Sequence, residues 1–311
     1  MNQDQFWRNF SLNRELHVSG GFIYDGMHEL STLETFSNAD EVFQIVYPLA
    51  VGFERLLKVA IVLIEYRSGM DQAQFEKSLI SHNHLELLRR VDSVHKLHFR
   101  SEHNELLQIL GKFYKSYRYD RFEIKSVFSE SPETDDLLQY LSKHVQADLK
   151  RDNVFGERPF CPDEAKVFLA RVCKKMTSSL YKVIENTAMA IPLYTYELRS
   201  DSKAFKVFLS EELSFFKESL LWKEILVFLL NSRHKSPDIH FLHSIEPLDL
   251  DPGMIPEYLK CLGSNIKKIG CLDELDELYK QIPNVSERIS MMDAIGSGID
   301  FSQDGEPDED A

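Results

Sequence analysis

Five of the eleven histidines fall between His82 and His103. Imidazoles at this density can ligate a metal or move protons near neutral pH. A metal site needs ligands at a defined spacing, and this segment has no H-E-x-x-H pattern. The four cysteines, Cys161, Cys173, Cys261 and Cys271, form no C-x-x-C pair and read as reduced, buried thiols of a cytosolic protein. The same stretch is locally basic. Residues 84–126 carry nine Lys/Arg against six Asp/Glu, in a chain of 311 residues with formal net charge −14. An acidic chain does not coat duplexes, but a local basic site suits chemistry on a nucleic acid. Within that stretch Arg118 can hold a phosphate and Tyr119 can stack a base. A structural role is open to both: Tyr119 closing a bundle, Arg118 pairing with Asp120 or Glu123. No glycine-rich phosphate loop, G-x-S-x-G elbow or dinucleotide fingerprint occurs, so NTPase, hydrolase and dehydrogenase readings lack support, and neither cofactor nor metal is expected.

These residues must be positioned by helices. Glycine (13) and proline (11) are scarce, hydrophobic content is 43 %, and no window supplies the apolar run of a membrane span. The N-terminus lacks the basic-then-apolar order of a signal peptide. Residues 1–37 read as an extension with a break at Gly20-Gly21 and a short strand at 22–24. Asn38, with Glu41 three residues on, opens a long helix whose apolar residues keep helical spacing from Val42 to Ile64. Pro48 should kink it, and Gly69 marks a stop. Helices follow at about 71–80, 84–96 and 102–118. Another opens at Ser131-Pro132 and runs to about Lys150, and a long one spans 163–190 and is ended by Pro192. The phenylalanine-rich stretch 203–231 reads as buried helices, with shorter helices to about 297. The tail 298–311 is acidic and poor in apolar residues, the composition of a disordered segment.

The middle of the chain resembles HEPN domains (higher eukaryote and prokaryote nucleotide-binding). The segment from Tyr47 to Lys58, with Glu54, Arg55, Leu56 and Leu57 ahead of the lysine, is similar to the family's first core helix. His84-Leu85-Glu86-Leu87-Leu88 is similar to the histidine-leucine segment that opens its second helix. Tyr114 with Arg118-Tyr119 is similar to the arginine-tyrosine-proline end of its third, with Asp120 in place of the proline. The likeness covers residues 38–192, with an insertion between Arg121 and Pro162. It implies an all-α, HEPN-like helical bundle over 38–192; the residue pattern beyond it gives a second helical region, 193–297, ahead of the acidic tail.

Catalytic members of the family carry an arginine and, a few residues on, a histidine, usually on or near the closing helix. Helix 163–190 has Arg171 but no histidine. Two candidate pairs lie elsewhere. Arg233 and His240 are separated by six residues, with His234 beside the arginine and Pro237 between them. Arg90 and His95 are separated by four. Such a pair cuts RNA without metal: the histidine moves the proton of the 2′-hydroxyl, and the arginine holds the phosphate. The resemblance therefore implies a bacterial toxin or phage-defence protein, a metal-independent endoribonuclease acting as a homodimer. RNA or a nucleotide would be its ligand, and an antitoxin or other defence protein its partner. The alternative is a non-catalytic module that binds nucleotide or protein.

Overall fold

The computed structural model describes residues 2–120, 122, 124, 131–146, 149, 159–234, 236–264 and 266–297. The acidic tail, 298–311, and most of the expected loop at 151–161 lie outside them. Among the described residues the fold is all-α, with one antiparallel bridge between Thr35 and Phe160. No helix there is long and apolar enough to cross a membrane. The chain divides into two compact units, Met1–Phe215 and Phe216–Ala311.

The first unit is built around α2 (Ala39–Glu65). Ile45, Phe53, Leu56, Leu57 and Ala60 are all 0–1 % exposed, so this helix is apolar almost all round and must be enclosed. It packs against α1 (Leu12–Thr32), α4 (His84–Val94), α5 (Ser101–Lys112), α6 (Pro132–His144) and α7 (Asp163–Ala190), while α3 (Gln72–Ser78) lies in the connection to α4. The helix runs continuously past Pro48. Asn38 caps it without bonding a backbone N–H, because its side chain donates to Glu41 Oε1 at 2.9 Å instead.

The strand expected at 22–24 is not formed, and residues 1–37 are no extension. Leu16, Ile23, Met27 and Leu30 line one buried face of α1, which is continuous through Gly20 and Gly21. Gly20 serves packing rather than a break. A Cβ at Gly20 would lie 2.6 Å from the Cα of Ala204, and one at Gly52 would lie 2.6 Å from Ile23 Cγ1. Their absence lets α1 approach both α2 and α8 (Lys203–Leu209). Trp7, just ahead of α1, packs edge-on against Tyr66, with ring centroids 5.4 Å apart.

The first unit also extends past Pro192, the expected end of the bundle, to Phe215. After α7 the chain returns, and α8 buries Ala204, Val207 and Phe208 against α1 and α7. Lys174 fastens that return by donating to the carbonyls of Phe208 at 2.9 Å and Val207 at 3.2 Å. Burial, aided by nearby Lys206, brings its amine down to about 8.

The second unit holds α9 (Phe216–Asn231), α10 (Pro237–Ser244), α11 (Ile255–Gly263), α12 (Ile269–Tyr279) and α13 (Val285–Ala294). Among its described residues only Ile239 is buried. The stretch 203–231 is thus divided: α8 is core, whereas α9 exposes Phe216 by 65 % and Phe228 by 59 %.

Candidate functional site

Glu54 is the one carboxylate in the middle of α2, between Phe53 and Leu56, and it is only 7 % exposed. A carboxylate in that place requires partners. Lys58, one turn on, donates from Nζ to Oε1 at 2.6 Å. His82 meets Oε2 through Nδ1 at 2.9 Å. Burial raises the Glu54 pKa, but these two bonds outweigh it and hold the carboxyl below the ordinary range.

His82 lies in the connection between α3 and α4, beside Asn83, whose side chain caps α4 at the N–H of Glu86. The next histidine fixes the connection. His84 is fully buried, and its Nε2–H donates to the carbonyl of Ala50 on α2 at 2.7 Å. Burial lowers its pKa, against the pull of that carbonyl, so the ring is a neutral strut. Gly111 on α5 leaves room for it, since a Cβ there would lie 3.2 Å from His84 Nδ1. The His82 side chain is left 44 % exposed. A carboxylate that takes Nδ1–H selects the tautomer whose Nε2 lone pair faces outward, the form of a general base.

A widened helical turn, Phe113–Tyr117, follows α5 and carries Tyr114. The Tyr114 ring lies 4.9 Å from that of His82 and 6.3 Å from that of Tyr47. Arg118 sits over the same ring, its Cζ 3.8 Å from the centroid and 4.4 Å from that of Tyr119. Among the described residues its buried Nε has no hydrogen-bond partner. A guanidinium held by ring faces keeps its N–H groups for an anion. The arrangement therefore joins a carboxylate-oriented imidazole, a stacked guanidinium and an exposed aromatic ring, Tyr119 being 58 % exposed.

The residues expected from spacing fare differently. Arg118 and Tyr119 belong to this cluster. Arg90 on α4 clamps Glu65 with bonds of 2.9 and 2.6 Å, and also donates to the carbonyl of Ser78 at 2.9 Å. It ties the ends of α2 and α3 to α4, and His95 merely ends α4 as its C-cap. Arg233 and His234 follow α9 and line a shallow recess with Val227 and Phe228. His240 is on α10, in its first turn, and does not line that recess. Both arginine and histidine of this pair are exposed. Among the described residues no group of three or more His, Cys, Asp or Glu is arranged to hold a metal ion.

Spacing along the chain does not reveal His82, because its partner lies 28 residues away. The available signal was Glu54 itself, a lone carboxylate in an apolar stretch of helix, which implies a buried partner. Three of the segments that carry the family resemblance, around Glu54, His84 and Tyr114 to Tyr119, meet in this one place. In comparison with known proteins, no family model, no curated protein and no solved structure matches the chain.

Proposed function

We propose that this chain is a HEPN-like, metal-independent ribonuclease that uses His82 as its general base. The observation that carries the reading is the 2.9 Å bond from His82 Nδ1 to the buried Glu54, beside the ring on which Arg118 is stacked. His82 Nε2 takes the proton of a ribose 2′-hydroxyl. The 2′-oxygen then bonds to the adjacent phosphorus, and the bond from phosphorus to the 5′-oxygen breaks. Water protonates the departing 5′-oxygen, and the imidazolium returns its proton to solvent. Arg118 neutralises the charge that gathers on the phosphate oxygens. The products are a 2′,3′-cyclic phosphate and a free 5′-hydroxyl.

A second reading, a module that binds nucleotide or RNA without cutting, draws on the same stack of Arg118 on Tyr114 and Tyr119. A homodimer goes with either reading. The exposed apolar residues of α9, Leu221 and Phe228 among them, offer a face for it. The bacterial toxin or defence setting, with its protein partner, goes with the ribonuclease.

The test is end-labelled RNA incubated with purified protein in excess chelator, with the product ends identified. Cyclic-phosphate ends from wild type, and a loss of about a hundred- to ten-thousand-fold in His82→Ala, are expected. Binding without cleavage would favour the second reading.

A further inference from the structure

A second cationic place lies at the other end of the α4–α5 hairpin. Its cavity measures about 590 Å³, and Arg89, Lys96, His98, Phe99, Asn104 and Asp92 line it. Cations elsewhere on these helices are matched: Arg90 with Glu65 and Lys112 with Asp136. Among the described residues Arg89, Lys96 and His98 have no such ion pair. Asp92, the acid of the group, accepts the N–H of Leu97 at 2.8 Å.

The loop from α4 to α5 is built to present these groups. Leu97 is buried, and Phe99 stacks on His103 at 5.2 Å with planes 13° apart. With the residues on both sides anchored inward, Lys96 and His98 are turned outward and exposed. His98 accepts a left-handed backbone, φ +51°, which a non-glycine residue adopts at a cost. Such strain persists where the surroundings enforce it, and it clusters at ligand sites.

We infer that the α4–α5 cavity is a phosphate-binding site for a nucleoside phosphate, held by Arg89, Lys96 and His98. The ligand is a free nucleotide or a phosphate of an RNA strand. This site stands whether or not His82 cuts RNA, because it shares no residue with the Glu54 cluster.

The experiment measures binding to the full chain of inorganic phosphate, AMP, ATP and a single-stranded RNA carrying 2′-O-methyl groups, which cannot be cleaved. The Arg89→Gln/Lys96→Gln double variant and the single His98→Gln variant are compared with wild type, after thermal melts establish that each is folded. Lys143→Gln is the control, since its amine pairs with Glu105 in another cavity. The double variant is expected to bind at least tenfold more weakly, and His98→Gln more weakly by a smaller factor. For RNA, the salt slope should fall by about 0.7 for each phosphate that is no longer neutralised. Loss confined to RNA identifies a strand phosphate, and loss for AMP or ATP, retained in Arg118→Ala, identifies a free nucleotide. No binding of any probe by wild type, or equal affinity in wild type and both variants, overturns the assignment.

Discussion

The two units of the molecule hold candidate chemistry under opposite physical conditions. In the first, Glu54, His82 and His84 are fixed by bonds from α2 to α4 and to the connection that precedes it, and sit on a core whose members reach 0 % exposure. In the second, Arg233 lies in the connection after α9 and His240 on the short helix α10, with almost no buried side chain beneath them. Both units carry histidine and arginine. Catalysis depends on holding such groups to a fraction of an ångström, and that requires a packed second layer. The contrast teaches that spacing along the chain identifies residue types capable of a reaction, whereas burial decides which are positioned for it.

The sharpest break of this comparison is functional. His82→Ala should lower RNA cleavage by about a hundredfold or more. Arg233→Ala and His240→Ala, on the exposed unit, should leave it within about twofold. Initial rates in chelator check this, and the reverse ranking would return the chemistry to α10.

Next in size is stability. Phe53 is 0 % exposed on α2, and Phe53→Ala should cost about 3–5 kcal/mol. Leu230 is 76 % exposed on α9, and Leu230→Ala should stay within about 0.5 kcal/mol. Urea titrations followed by circular dichroism measure both. Equal losses would mean that the second unit is as tightly packed as the first.

A smaller effect separates structure from chemistry within the first unit. Arg90→Ala removes the clamp on Glu65 and should destabilise by about 1 kcal/mol, with cleavage unchanged at a temperature where the variant is folded. A lost rate with retained stability would restore Arg90 as a catalytic candidate.

The smallest effect is expected with pH. His84 and His103 both have folded pKa values lowered by burial, His84 against the bond to Ala50 and His103 against Glu102. The unfolded chain then binds more protons below the ordinary histidine value. Stability from these groups is fully present above about 6.5 and is lost as pH falls through the folded values. Melting temperatures from pH 7.5 down to pH 5 should decline, and His84→Gln should flatten the decline. A slope unchanged by that substitution would remove His84 from the account.

Much of the first unit was legible in the chain. The helical spacing from Val42 to Ile64 located α2, and prolines located the start of α6 and the end of α7. The N-terminal helix was not legible, since Gly20-Gly21 reads as a break when the Ala204 backbone that demands it lies far along the sequence. The unit boundary was missed for a similar reason: Pro192 ends α7, but the two bonds from Lys174 that return α8 to the bundle are tertiary. At the site, Arg118 and Tyr119 were expected from their types and lie around the Tyr114 ring, whereas the tie of Arg90 to Glu65 is a tertiary contact that spacing does not show. His82 was visible only as one histidine among five until Glu54 came within 2.9 Å.

The central claim is that a buried carboxylate on α2 arms an exposed imidazole. Single-turnover cleavage of one labelled RNA in excess chelator, by wild type, Glu54→Gln and His240→Ala, tests it most directly. The account expects His240→Ala to match wild type. It expects Glu54→Gln, which keeps the shape but loses the charge that orients His82, to fall by about tenfold or more with RNA affinity retained. Cleavage by Glu54→Gln at the wild-type rate, or loss in His240→Ala alone, would contradict it.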